Sequence, residues 1–210
     1  MTIAPIHTIQ RGKRDKELRQ QSLIEAATAV FAERGYDCAT TREIAERAGC
    51  AEGLIHRYFR GKRGLLLAIL ESRASQVVQD FVAALPDRDT VEDEIEQILL
   101  WNLETMWERR DFMRVAVSQA AIDSEVGRTV NEGAHNERVR LTTEKLHRHK
   151  QTRRIRPGVD LEAMAQAITG LGFALGFSFQ VSLGQDRRLA HRIAVEAAAE
   201  ISRGIGRRSP

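Results

Sequence analysis

Cysteine is nearly missing from this chain, and its scarcity already narrows the possibilities. The 210 residues include two, Cys38 and Cys50. Two are too few for a disulfide framework, so the simple reading is a reduced, cytoplasmic protein. Proline is also scarce, at four, and the 15 glycines follow no period, which excludes collagen-like and repeat architectures. A strong excess of one charge is lacking as well. The 32 Lys and Arg against 29 Asp and Glu leave a formal net charge of +3, compatible with nucleic acid but not diagnostic of it. With 42% apolar and 29% charged residues, wholesale disorder is not expected. Residues 1–10 carry no apolar run between a basic start and a small-residue cleavage site, so no secretory signal is expected.

Strand signals are missing too. There is no sustained alternation of period two and no Asn-Gly or Asp-Gly hairpin. Helical periodicity takes their place. Leu23, Ala27, Val30 and Phe31 share one face of a helix expected over residues 15–35, with Gly35 at its C-terminal end. Thr40 followed three residues later by Glu43 reads as a capping box opening a short helix over 41–48. A second short helix is expected over 52–59 and a longer one over 62–85, stopped at Pro86. Beyond it, Thr90 is read as the cap of a helix reaching 109, and Asp111 as the cap of one reaching 122. Residues 124–149 read as one long polar helix weakened at Gly127 and Gly133. Residues 151–158 read as a basic loop, Asp160 caps an uncharged helix, and a last helix runs over 186–203 with a frayed tail over 206–210. The expected fold class is therefore all-α.

Residues 163–185 hold no charge, which is long enough to span a bilayer. Gln166, Thr169, Ser178, Gln180 and Ser182 interrupt the stretch, and a buried helix of a soluble protein is the reading adopted, with no membrane partner.

Two short helices joined by Gly49-Cys50-Ala51 fit a helix-turn-helix, although spacing alone fits an ordinary helical hairpin equally well. Arg42, Arg47, Arg57, Arg60, Lys62 and Arg63 surround the pair, and Arg11, Lys13 and Arg14 form a basic arm ahead of the first helix. Cationic groups and helix N-termini placed this way can hold phosphates.

Particular residues favour the DNA-binding reading. Ile24-Glu25-Ala26-Ala27, Phe31-Ala32-Glu33-Arg34-Gly35-Tyr36, the run from Thr40 to Gly49, and Gly53-Leu54-Ile55-His56-Arg57-Tyr58-Phe59 followed by Lys62 together resemble the N-terminal domain of the TetR family of bacterial transcriptional regulators. The resemblance covers residues 22–66, about a quarter of the chain. It implies a three-helix DNA-binding domain over 13–60, a connecting helix over 61–85 and a ligand-binding and dimerisation bundle over 86–206. It further implies that Thr40, Thr41, Tyr58 and Lys62 hold phosphates, while Arg42 and the face carrying Glu52, Gly53, Leu54, His56 and Arg57 meets base edges. Ala51 and Glu52 replace the Ser and Lys frequent in the family, and Leu54 a frequent Thr, so an unusual operator is expected.

The uncharged helix is apolar nearly all round, with Leu161, Met164, Ile168, Leu171 and Leu175 on one stripe and Phe173, Phe177 and Val181 elsewhere. Such a helix must be covered on every side. Leu171 and Leu175, with Leu189, Ile193 and Ala197 of the last helix, are the candidate homodimer interface. Trp101, Met106, Phe112, Phe173 and Phe177 are the candidate lining of an effector pocket, and an apolar lining implies a hydrophobic small molecule. His135, His147 and His149 lack the spacing of a metal set, and no nucleophile elbow, phosphate loop or dinucleotide motif occurs. No cofactor, metal or catalysis is expected.

The function expected is therefore a ligand-responsive repressor, homodimeric on a palindromic double-stranded DNA operator, cytoplasmic and nucleoid-associated when bound. An activator, a partner-responsive regulator, or a helical enzyme or carrier with a vestigial DNA-binding unit are the alternatives.

Overall fold

The computed structural model of the chain describes the backbone of residues 6–207 and the side chains of residues 14–207. Ten α-helices follow in order among the described residues: α1 (Ile6–Arg34), α2 (Thr41–Arg47), α3 (Gly53–Phe59), α4 (Lys62–Ala84), α5 (Val91–Glu108), α6 (Arg110–Ile122), α7 (Ser124–Val130), α8 (Asn136–Gln151), α9 (Leu161–Phe173) and α10 (Arg187–Ile205). Two π-helical segments, Asn131–His135 and Ala174–Ser182, extend α7 into α8 and prolong α9. The all-α expectation holds. The extended backbone among the described residues is a single antiparallel bridge between Ile155 and Gly206.

The chain divides into two units, Met1–Ser72 and Arg73–Pro210, with the boundary inside α4. The N-terminal unit is an N-terminal helix-turn-helix domain, built by the residues whose periodicity singled them out. Leu23, Ala27 and Phe31 of α1, Ile44 of α2 and Ile55 of α3 are wholly buried. Leu65, Leu66 and Ile69 of early α4 are buried to the same degree. Gly35 ends α1 at φ +76° and Gly49 turns the chain after α2 at φ +64°, conformations that cost a side chain about 1 kcal/mol or more. The α3–α4 junction is tighter still. A Cβ on Gly64 would fall 1.6 Å from the Phe59 carbonyl oxygen, so no other residue fits there without moving the backbone.

The first helix starts nine residues earlier than expected, at Ile6 instead of Asp15, because only Gly12 opposes helix in between. Arg11, Lys13 and Arg14 thus belong to α1 rather than to an arm before it; the side chains of Arg11 and Lys13 lie outside the described residues.

In the C-terminal unit a core of Phe81, Leu85, Ile95, Ile98, Leu99, Leu103, Leu146, Leu161, Ala165, Ile168, Leu175 and Ala190 joins α4, α5, α8, α9 and α10. Gly172 and Gly176 let the α9 segment close on α5, where an added Cβ would meet Asn102 at 3.1 Å and the Asn102 carbonyl at 3.0 Å. The expected caps hold at Thr90 and Asp160, and Asp186, expected as the first residue of the last helix, is its cap instead. Asp111 is not a cap. Helix α6 begins one residue earlier behind Arg109, with no side-chain cap, and Asp111 pairs with Arg114 at 3.1 Å. The long polar helix is real in extent but carries the π-turn around Gly133, whose missing Cβ lets it close on Ala74 of α4. The basic loop is shorter than expected, since α8 continues through Gln151. The tail is tied down through Arg207, whose N–H donates to the Arg154 carbonyl at 2.9 Å; the rest of the expected frayed tail, residues 208–210, lies outside the described residues.

The segment Leu161–Ser182 is long and apolar enough to cross a membrane by length and composition, and half of its most apolar window is buried within the protein.

Candidate nucleic-acid interface

Helix α2 opens as its sequence dictates. Thr40 is extended (φ −111°, ψ 149°), its Oγ1 accepts the Glu43 N–H at 3.1 Å, and the Glu43 carboxylate accepts the Thr40 N–H at 3.2 Å. Two of the four free amides of the first turn are thereby oriented. Helix α3 has no such cap. Glu52 precedes it without a side-chain bond to its amides, and Ala51, in the place of the family's frequent serine, has no side-chain oxygen to accept one. Instead the Glu52 carboxylate accepts the Thr41 hydroxyl at 2.5 Å and joins the starts of α2 and α3. A carboxylate beside a helix N-terminus sits where positive partial charge attracts anions.

The reading face of α3 is open. Glu52, Gly53, His56 and Arg57 are exposed and Leu54 is half-buried, while Ile55 and Phe59 turn inward. Tyr58 closes one end of this face. Its half-buried ring lies 5.9 Å from Lys16 Nζ and 5.9 Å from the Arg57 guanidinium, in a recess shared with Asp15 and Arg19. Lys16 and Arg19, three residues apart on one face of α1, escaped the sequence reading. Their signal was the i, i+3 spacing of cations on an otherwise polar helix face.

Two expected phosphate ligands are otherwise engaged. Lys62 Nζ donates to the carbonyls of Tyr36 at 2.8 Å, Asp37 at 3.2 Å and Ala39 at 3.0 Å, and lies 4.5 Å from the Tyr36 ring centroid. All three ammonium protons are used, so Lys62 clamps the loop between α1 and α2 instead of offering a free cation. Arg47 is held bidentate by Glu33 at 2.7 and 2.8 Å, which keeps the Glu33 carboxyl below its ordinary pKa and removes Arg47 from the free basic face. Arg42 is exposed and bonds Glu46 at 3.0 Å, an i, i+4 pair weak enough to exchange for another partner.

The candidate effector residues separate into two places. Met106, Phe173 and Phe177 meet in a small apolar cluster with Trp107, Met113, Val117 and Val181, and the two phenylalanines stack at 5.5 Å. Trp101 packs on the larger core, edge-on to Phe81 at 5.4 Å, and Phe112 lies under the Arg73 guanidinium at 5.8 Å. Of the candidate dimer residues, Leu175 is 5% exposed and belongs to the core of its own protomer. It has too little free surface to serve an interface and is withdrawn from that set. Leu171, Leu189, Ile193 and Ala197 are half-buried. A further set escaped notice because its members are small: Ala163, Ala167, Gly170 and Ala174 are exposed in one line along the α9 segment, and a Cβ on Gly170 would meet nothing within 4 Å.

One buried ion cluster was also illegible. Glu94 is fully buried and accepts from Lys145 at 2.9 Å, the Arg88 N–H at 3.1 Å, Gln97 at 2.7 Å, Arg148, and the ring of His149 at 3.3 Å. Burial, more than the opposing Glu94 bond, holds His149 below its ordinary pKa. Among the described residues no three His, Cys, Asp or Glu side chains gather as a metal site would require.

Comparison with known proteins agrees with this geometry. Residues 23–69 match the family model of bacterial regulatory proteins of the tetR family. The regulator BetI of Brucella anthropi is 35% identical over 85 residues, covering 40% of this chain and 44% of BetI; the chain thus aligns with about half or less of the length of the curated relatives it matches. A TetR-family regulator of Pectobacterium atrosepticum has the same fold, with a TM-score of 0.70 at 20% identity, covering 94% of this chain and 98% of that one. FadR of Bacillus subtilis, solved in complex with stearoyl-CoA, superposes with a TM-score of 0.68 at 19% identity, covering 85% and 96%. These relatives are named as regulators, not as enzymes. The N-terminal helix-turn-helix unit is thereby matched to the tetR family of bacterial regulatory proteins.

Proposed function

We propose that this chain is a ligand-responsive transcriptional repressor that binds a palindromic operator as a homodimer and leaves it when a small molecule enters the C-terminal unit. The observation that carries the reading is the pairing of a capped α2 with a seven-residue α3 whose face from Glu52 to Arg57 is open. Such a helix is short enough to present its N-terminal side chains to a major groove about 12 Å wide. In this reading Thr40, Thr41 and Tyr58, joined by Lys16 and Arg19, hold phosphates. Arg42, Glu52, Gly53, Leu54, His56 and Arg57 face base edges, and Lys62 holds the loop that places them.

One recognition helix reads only a few base pairs, so twofold pairing is needed for specificity. The exposed line Ala163, Ala167, Gly170 and Ala174, with half-exposed Leu171, Leu189, Ile193 and Ala197, is an apolar face on which two protomers would bury each other's surface. The cluster of Met106, Phe173 and Phe177 is the apolar side of the proposed effector domain. That FadR of Bacillus subtilis was solved with stearoyl-CoA supports a small-molecule effector without naming this chain's own. The test is selection from randomised duplex DNA by the whole protein, followed by in vitro transcription from a promoter carrying the selected site. Reduced transcript is expected; increased transcript would overturn the repressor role and leave DNA binding standing.

A further inference from the structure

The C-terminal unit holds a second unusual group of charges. Arg138, on the first turn of α8 just after the π-turn, has its Nε withdrawn from solvent without any hydrogen-bond partner. Its guanidinium lies 5.7 Å from the Trp101 ring centroid. Burial, with the neighbouring Arg109 cation adding to it, pushes its pKa down to about 10, which leaves it charged at neutral pH. Arg109 bonds Asp80, and Gln76 donates to the same carboxylate at 3.1 Å. Arg73 feels both Arg109 and Asp80 and lies over Phe112. Arg109 and Arg73 therefore share one carboxylate, and Arg138 lies near enough to Arg109 to feel its charge. One helical turn beyond Arg138, the fully buried Thr142 hydroxyl also lacks a partner.

The half-buried Arg138 thus holds a donor, Nε, out of solvent with no acceptor, and a methionine or leucine would fill the same space without that cost. An arginine retained in such a place is matched to a planar anion, because its fork donates two parallel hydrogen bonds to a carboxylate or phosphate. The aromatic faces of Trp101 and Phe112 beside the guanidiniums suit an apolar body attached to that anion. Resting on the ligand-responsive reading above, we infer that the effector is an amphipathic organic anion whose carboxylate or phosphate headgroup sits on Arg138, Arg109 and Arg73, beside Trp101 and Phe112. This revises the expectation of a merely hydrophobic ligand: the neutral or cationic amphiphiles it would admit are rejected.

The test uses the full chain and four probes of one alkyl length: decanoate, decyl phosphate, decanol and decyltrimethylammonium. Affinity is read by calorimetry, alongside thermal unfolding and binding to the selected duplex. Decanoate or decyl phosphate should bind at least tenfold tighter than decanol, the stronger of the two identifying the headgroup, and the ammonium should not bind. Arg138→Met should erase the anion preference while leaving the melting temperature equal or higher, because a buried donor without an acceptor is removed. Arg73→Met provides the same comparison should Arg138→Met fail to fold. Equal affinity for all four probes, or an anion preference that survives both substitutions, would overturn the site. Duplex binding in those same samples would show that the regulator reading survives that failure. Tight anion binding with unchanged duplex affinity would instead uphold the site and refute ligand-driven release.

Discussion

Glu52 and Lys62 show how single residues redirect the DNA-binding surface. The Glu52 carboxylate accepts the Thr41 hydroxyl, and in the proposed reading it competes with phosphate for that donor. Glu52→Gln removes that charge and is expected to raise affinity for random duplex roughly threefold to tenfold, the worth of about 1 kcal/mol between near charges in water. Unchanged or weaker binding in a fluorescence titration would refute the competition. Lys62 is the opposite case. Its three bonds to loop carbonyls make Lys62→Met expensive, on the order of 2–3 kcal/mol of stability for charge-assisted bonds partly out of solvent. The salt slope of DNA binding should stay the same in the protein that remains folded, since no phosphate contact is lost. A slope lowered by about 0.9, the contribution of one phosphate, would restore Lys62 as a direct ligand. The sequence marked both residues as functional. It could not show how their polar atoms were spent, because Lys62 reaches carbonyls 23 to 26 residues away.

At the scale of elements, legibility followed the range of the interactions. Capping at Thr40, Thr90 and Asp160 is decided within three residues and was legible. So was the inward face of α1, set by helical period. The π-turn was not, although Gly133 was read as a weak point: the close approach of Ala74, 59 residues earlier in the chain, lies beyond any local pattern. The tie between α5 and α8 was hidden for the same reason: Glu94 and His149 are 55 residues apart. That tie has a pH signature. His149 is held below its ordinary pKa of 6.5 in the fold, so the unfolded chain takes up its proton first as pH falls. The contribution of neutral His149 is complete above about pH 6.5 and declines as pH drops below that value. Urea unfolding should therefore give lower stability at pH 5.5 than at 7.5, and His149→Gln should flatten this difference. A profile with the same slope in both proteins would show that the fold leaves the proton affinity of His149 unshifted.

At the scale of the whole molecule, the uncharged α9 segment divides its surface between two tasks. Leu161, Ile168 and Leu175 serve the core of their own chain, while Ala163, Ala167, Gly170 and Ala174 remain uncovered. Apolar period identified the first set; smallness concealed the second, since alanine and glycine contribute little to a hydrophobic stripe. Ala167→Glu adds charge to the uncovered set without touching the core. It is expected to leave the protomer folded and to convert a dimer into a monomer in sedimentation, with DNA affinity falling by about two orders of magnitude or more as one half-site is lost. A dimer that survives the substitution would move the interface to another face.

The claim on which all else depends is that the α2–α3 surface reads DNA. The most direct measurement is the affinity of the whole protein for its selected duplex and for random duplex, followed across about 50 to 200 mM salt. The expected result is a steep loss of affinity for both as salt rises, by about 0.9 log units per log unit of salt for each phosphate held, with the selected site preferred by about a thousandfold or more. Salt-independent binding, or equal affinity for the two duplexes, would contradict it.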